Sequence, residues 1–211
     1  MTQAASGEMS RTEQIIRAAT IAAYVAGVAG LASAVLSALY LAAGEPWGTL
    51  IDVALLVMTG AIAPLMLAFY ELGGLTPTSL ARIAQAGGWI AVLTWCAVQL
   101  LLIAGVVDLD FDLDVDSPAA GAIFLWATAL GVWAAALVVI GSWVAGANLL
   151  AGPWLGRVRS MGVFVGIGIV ALGIGLLLGG ADSPLTYLGG VIYQFGTPIW
   201  ALLMARELRR R

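Results

Sequence analysis

The sequence predicts an all-α polytopic membrane protein, with six transmembrane helices and both termini in the cytoplasm. Three observations carry this expectation. First, 62% of the 211 residues are hydrophobic and only 10% are charged, with a mean hydropathy of +1.02. That leaves too few charges to coat a soluble core of this size. Second, turn residues cut the chain into six apolar runs, each at least ~20 residues long and so able to cross ~30 Å of hydrocarbon as a helix. Third, with six spans, all nine basic residues fall on the side that holds both ends.

The first 14 residues, MTQAASGEMSRTEQ, are polar. They lack the basic start and short apolar core of a secretory signal and read as a cytoplasmic tail. The membrane domain then covers residues 15–208, with spans at about 15–43, 48–72, 82–107, 119–150, 160–180 and 185–206. Span one ends at GEPW, span two at GGLTPTS and span four at AGPW. Span four is longer than the hydrocarbon requires, so it must tilt, project from the bilayer or break near Gly141. Helices are expected because every backbone polar group must be paired within lipid. The runs also lack the two-residue alternation of a membrane β-barrel.

Arg11, Arg17, Arg82, Arg157, Arg159, Arg206, Arg209, Arg210 and Arg211 all sort to one side. The positive-inside rule makes that side cytoplasmic, and the expected location is the plasma (inner) membrane of a prokaryote. The opposite side holds Glu45, Asp182 and the loop 108–117. In that loop Asp108, Asp110, Asp112, Asp114 and Asp116 alternate with Leu109, Phe111, Leu113 and Val115. Period two is a strand pattern, so an extended cap is expected, apolar side toward the helix ends and acid side toward water. Two other readings stand beside the cap: a Ca2+ site on the five aspartates, and a docking strip for a basic external partner. The aspartates match the first four ligand positions of an EF-hand. However, Leu113 replaces its obligatory glycine and Ala119 its bidentate glutamate.

Residue types absent from the chain exclude several chemistries. Without lysine or histidine there is no Schiff-base lysine, histidine-ligated metal, axial haem histidine or histidine base. The single cysteine, Cys96, allows no intrachain disulfide and reads as a small hydrophobe. No cofactor is evident beyond a bound lipid or pigment, or Ca2+ at the acidic loop, and no nucleic-acid partner is expected.

Polar groups inside spans are candidates for function. Asp52 in span two, Tyr40 in span one, Gln99 in span three, and Tyr193 and Gln194 in span six lie at similar depth in the outer half. Together with Tyr187, they are placed to line an outward-opening pocket rimmed by Trp47 and Trp126. The competing reading is ordinary interhelical hydrogen bonding. Glu71, at the inner end of span two, is expected to pair with Arg82, Arg17 or Arg157. It lies 19 residues from Asp52, roughly 28 Å along a helix, which rules out a two-carboxylate mechanism within one chain.

Small residues and prolines complete the pattern. Span five carries Gly162 and Gly166, then Gly175 and Gly179, at the four-residue spacing that lets helix backbones approach. Packing within the bundle, a homodimer face, or a flat cofactor on bare backbone all suit it. Span one has a comparable stripe at Ala22, Ala26, Ala29 and Ser33. Pro64 and Pro198 are expected to kink spans two and six, and each follows a nearby glycine, Gly60 or Gly196. Trp47, Trp126 and Trp154 sit where interfacial anchors belong, whereas Trp95, Trp133 and Trp200 are expected in the core.

The span count, the GPWLGRVRSMG entry to span five and the closing GTPIWALLMARELRR resemble the uncharacterised six-span bacterial membrane proteins of the DUF4386-like kind. That resemblance implies the fold and no activity. The alanine-rich AAYVAGVAGLASA of span one is also similar to the first helix of the vitamin-binding components of ECF importers. Three functions are therefore expected, in order. The first is a non-enzymatic accessory or structural subunit, or a lipid- or pigment-packing partner, in a membrane complex. The second is a small-solute carrier or binding protein that uses the outer polar cluster. The third is an intramembrane enzyme, for which only tyrosine, serine, threonine and isolated acids remain. The expected partners are the lipid bilayer and either another membrane protein or a second copy of the chain.

Overall fold

Hydrophobic segments long enough to span a bilayer must close their own hydrogen bonds, and here they do so as helices. The computed structural model describes residues 10–72, 79–104, 120–151, 155–180 and 182–210. All regular structure among these residues is helical: α1 (Arg11–Ala43), α2 (Trp47–Gly60), α3 (Ile62–Leu72), α4 (Ser79–Ile103), α5 (Ala120–Leu150), α6 (Val158–Gly179), α7 (Pro184–Val191) and α8 (Thr197–Leu208). Helices α2 and α3 together form span two. Helices α7 and α8, joined by a π-turn at Ile192–Gly196, form span six. Six helical stretches are long and apolar enough to cross a membrane, and the protein is a multi-pass all-α bundle. The aspartate loop 108–117 lies outside the described residues, as do Trp154 and the side chains of Glu71 and Trp126.

Helix α1 starts at Arg11, four residues before the apolar run. Ser10 and Glu13 form a reciprocal capping box, in which the Ser10 N–H donates to Glu13 Oε2 at 2.8 Å and the Glu13 N–H to Ser10 Oγ at 3.3 Å. This satisfies two of the amides that every helix start leaves open. Gly44 ends α1 at φ +69°, a conformation that glycine adopts without a Cβ clash, and its N–H closes on the Tyr40 carbonyl at 2.8 Å.

The two spans containing proline depart from regular α-helix in different ways. Pro64 cannot donate to the Gly60 carbonyl, and span two is interrupted at Ala61, between α2 and α3. Pro198 cannot donate to the Gln194 carbonyl. Span six answers with the wider π-turn just upstream, a usual response to a missing rung in the helical ladder. Span four, by contrast, does not break at Gly141: α5 is continuous from Ala120 to Leu150.

The reason for Gly141 lies across the helix interface. A Cβ there would sit 2.6 Å from the Gly166 carbonyl oxygen and 2.7 Å from the Val170 nitrogen of α6. Gly162 faces Asn148 on the same interface, while Gly175 faces Thr186 and Gly179 faces Ser183 on the α7 side. One glycine pair of α6 is thus turned to α5 and the other to the start of span six. Both faces are covered by the chain's own helices.

The core holds Trp95, Trp200, Phe69, Met58 and Met66, all at most 2% exposed. Trp200 stacks on Phe69 at 6.4 Å between ring centroids, and Trp143 meets Phe69 edge-on at 6.0 Å. Offset and edge-to-face pairs of this kind are favoured by the aromatic quadrupole. Trp133 is only partly buried, but it stacks on Trp95 at 6.0 Å.

Candidate functional site

The five polar residues expected to line one pocket are distributed among separate contacts. Asp52 is half-buried on α2, and its Oδ1 accepts a hydrogen bond from Gln99 Nε2 on α4 at 2.7 Å. Gln99 is 1% exposed, so this carboxylate–amide bond is shielded on the α4 side. One level deeper, the Tyr193 hydroxyl of the π-turn meets Thr59 Oγ1 of α2 at 2.8 Å, with both residues buried. The neighbouring Gln194 turns the other way. Its Nε2 donates to Ser33 Oγ at 3.0 Å and Ser37 Oγ at 3.3 Å, both on α1.

The serines are themselves anchored. Ser33 Oγ donates to the Gly30 carbonyl at 2.8 Å and Ser37 Oγ to the Ser33 carbonyl at 2.9 Å. Both hydroxyls therefore keep lone pairs to accept from the Gln194 amide.

Tyr40 does not join this set. It is 45% exposed in the last turn of α1, and its side chain makes no hydrogen bond among the described residues. Tyr187, at 62% exposure, also points outward, and Trp47 is half-buried at the start of α2. The expected single pocket thus resolves into three interhelical links: α2 to α4, α2 to span six, and span six to α1.

Several polar atoms beside these links are buried without a hydrogen-bond partner among the described residues: Gln99 Oε1, Trp95 Nε1 and Trp133 Nε1. Trp95 and Gln99 are four residues apart on α4 and share its face. Cys96 lies near the same level, with its sulfur 3.9 Å from where a Cβ on Gly60 would sit.

A further polar centre, not singled out from the sequence, lies toward the end of the bundle opposite Asp52. Asn148 is fully buried on α5, where its Nδ2 donates to the Val144 carbonyl at 2.8 Å and its Oδ1 accepts from Trp200 Nε1 at 3.4 Å. It was findable, being the only carboxamide in an otherwise apolar span. Thr59 was also missed. A threonine can satisfy its hydroxyl within its own helix, so nothing in the sequence marks it as a partner for Tyr193.

Among the described residues no group of three acids or cysteines is placed to hold a metal ion. The five aspartates, Asp108 to Asp116, lie outside that set. No family model matches the chain, and neither the curated proteins nor the solved structures contain a match to it.

Proposed function

We propose that this protein is a non-catalytic bundle of a prokaryotic plasma membrane. In this reading it serves as an accessory or structural subunit, or as a packing partner for lipids or pigments, within a larger assembly. One observation carries the proposal: four of the five polar side chains named for a site are engaged in bonds between the chain's own helices. Such bonds are worth about 0.6 kcal/mol each in membranes, and together they fix the rotation of one span against the next. The residue types missing from the sequence support the same reading, since histidine, lysine and a second cysteine are not there to recruit. Both termini are assigned to the cytoplasm by the arginine distribution. Purification from native membranes in a mild detergent tests the proposal. A co-purifying protein, lipid or pigment in stoichiometric amount is expected, and a bare monomer would overturn it.

A second reading rests on a separate observation. Asp52 is half-buried beside Gln99, whose carbonyl oxygen has no partner, and Trp95 on the same helix face presents an unpaired N–H. A neutral or cationic small solute that donates to Gln99 Oε1, accepts from Trp95 Nε1 and pairs with Asp52 would complete these groups. For this carrier reading, Asp52→Asn is expected to abolish uptake or the thermal shift produced by the solute. Unchanged behaviour would remove the carboxylate from any such role.

A further inference from the structure

At one end of the bundle, the first turns of α1 and the last turn of α8 flank an open groove of about 320 Å3. That is at the lower end of the ~300–1,000 Å3 typical of small-molecule sites. Its polar walls are Arg17, Arg209 and Glu13, and its floor is Ile16, Ile21 and Leu208. Both arginines are exposed, and neither has an ion-pair partner among the described residues. Glu13 is drawn back to the helix start by the Ser10 N–H. The Thr20 hydroxyl, also in the wall, donates to the Ile16 carbonyl at 2.7 Å. The wall therefore carries two guanidinium groups against one carboxylate, and with Glu13 held toward the helix start the guanidinium groups are the ones that can bind phosphate oxygens through paired N–H donors.

An apolar track leads out of the groove along α1. Ile21, Tyr24, Val28, Leu31 and Val35 follow one another at alternating three- and four-residue steps, and all are at least 40% exposed. They form one ridge of the helix. From Arg17 to Val28 is 11 residues, or about 16 Å along the axis. Half of the bilayer's hydrocarbon thickness is about 15 Å. A molecule with its anionic head at the arginines and a chain lying on Ile21, Tyr24 and Val28 would thus reach the bilayer midplane.

We propose that this groove is a specific site for an anionic glycerophospholipid, whose phosphate is held between Arg17 and Arg209 and whose acyl chain lies on the exposed ridge of α1. The site does not depend on the scaffold reading, because a carrier with the same inner mouth would hold the same lipid. Titration of the purified full-length protein with phosphatidylglycerol, followed by native mass spectrometry, tests it. A one-to-one adduct is expected, and phosphatidylcholine should bind much more weakly. The double change Arg17→Gln/Arg209→Gln should weaken the phosphatidylglycerol adduct about thirtyfold, the weight of two basic groups near an anionic surface. Arg17→Lys/Arg209→Lys keeps the charge but not the paired donors and should bind between the wild type and the glutamine variant. Arg82→Gln/Arg157→Gln removes the same charge elsewhere on this side and should leave binding at the wild-type level. Three results would overturn the site: equal binding by the Arg17/Arg209 glutamine variant, equal binding of phosphatidylcholine, or displacement of the lipid by comparable concentrations of glycerol 3-phosphate. The last would mean that the groove recognises free phosphate and not a lipid.

Discussion

Replacing Gly141 by alanine adds a single methyl group at the point where α5 and α6 cross. An ordinary carbon–oxygen contact is about 3.3–3.6 Å, yet the new Cβ would lie 2.6 Å from the Gly166 carbonyl oxygen. The obstacles are backbone atoms, the Gly166 oxygen and the Val170 nitrogen, so no side chain can rotate to make room. The helices must separate by about 0.7–1 Å, and a gap of that size forfeits a quarter to a half of the dispersion well for each atom pair along the seam. Overpacking of this kind costs about 1–3 kcal/mol. Gly131 and Gly146 lie on the same helix with nothing within 4 Å of a Cβ. Alanine at either should instead stabilise by about 0.5–1 kcal/mol through helix propensity. The expected separation between Gly141→Ala and the two controls is therefore about 1.5–4 kcal/mol. Unfolding titrations in mixed micelles, followed by the fluorescence of the eight tryptophans, would measure it. If Gly141→Ala were as stable as Gly146→Ala, the close crossing of α5 and α6 would be wrong.

Four further outcomes are expected. Thr59→Val and Tyr193→Phe should show a coupling energy of about 0.6 kcal/mol, and no more than about 1.7, in a double-mutant cycle; additive effects would deny the bond. Gln99→Leu should destabilise by about 1–3 kcal/mol, because it leaves the Asp52 carboxylate half-buried without its donor, whereas Asp52→Asn should cost less because Asn keeps an oxygen to accept from Gln99. Asn148→Leu should destabilise in the same unfolding titration, by about 1–3 kcal/mol, since it strands the Trp200 N–H and sets a larger apolar side chain against Gly162. Tags at both termini should be reached by impermeant reagents only after the cells are opened; labelling of either in intact cells would reverse the assigned orientation.

The spans were legible because crossing a bilayer imposes a length and a composition that few other structures share. Their ends were less so. Counting apolar residues starts span one at Ile15, but the capping box at Ser10 and Glu13 carries the helix one turn further, through polar residues that hydropathy ignores. The depth of a side chain was also legible, since depth is only a count along a helix. Asp52 and Gln99 were placed at one level, and they do meet. Direction around the helix was not. Tyr193 and Gln194 are adjacent in sequence and equal in depth, yet one reaches α2 and the other α1. The face that each presents depends on which helices lie alongside and on the width of the turn beneath them, and neither follows from the hydropathy of the span.

The π-turn at Ile192–Gly196 therefore has a bearing on which changes in length this chain tolerates. A π-turn is an α-helix with a surplus residue accommodated sideways. Deleting one residue there would restore regular α-helix and leave α7 and α8 in nearly their present register, since the surplus residue is what the wider turn absorbs. What would be lost is the turn itself, which holds Tyr193 against Thr59. The same deletion in the loop ahead of Pro184 would shorten a connection and leave the helix faces aligned. Span six should thus keep the Tyr193–Thr59 bond after a deletion in its leading loop, and keep its helical span but lose that bond after one at residues 192–196.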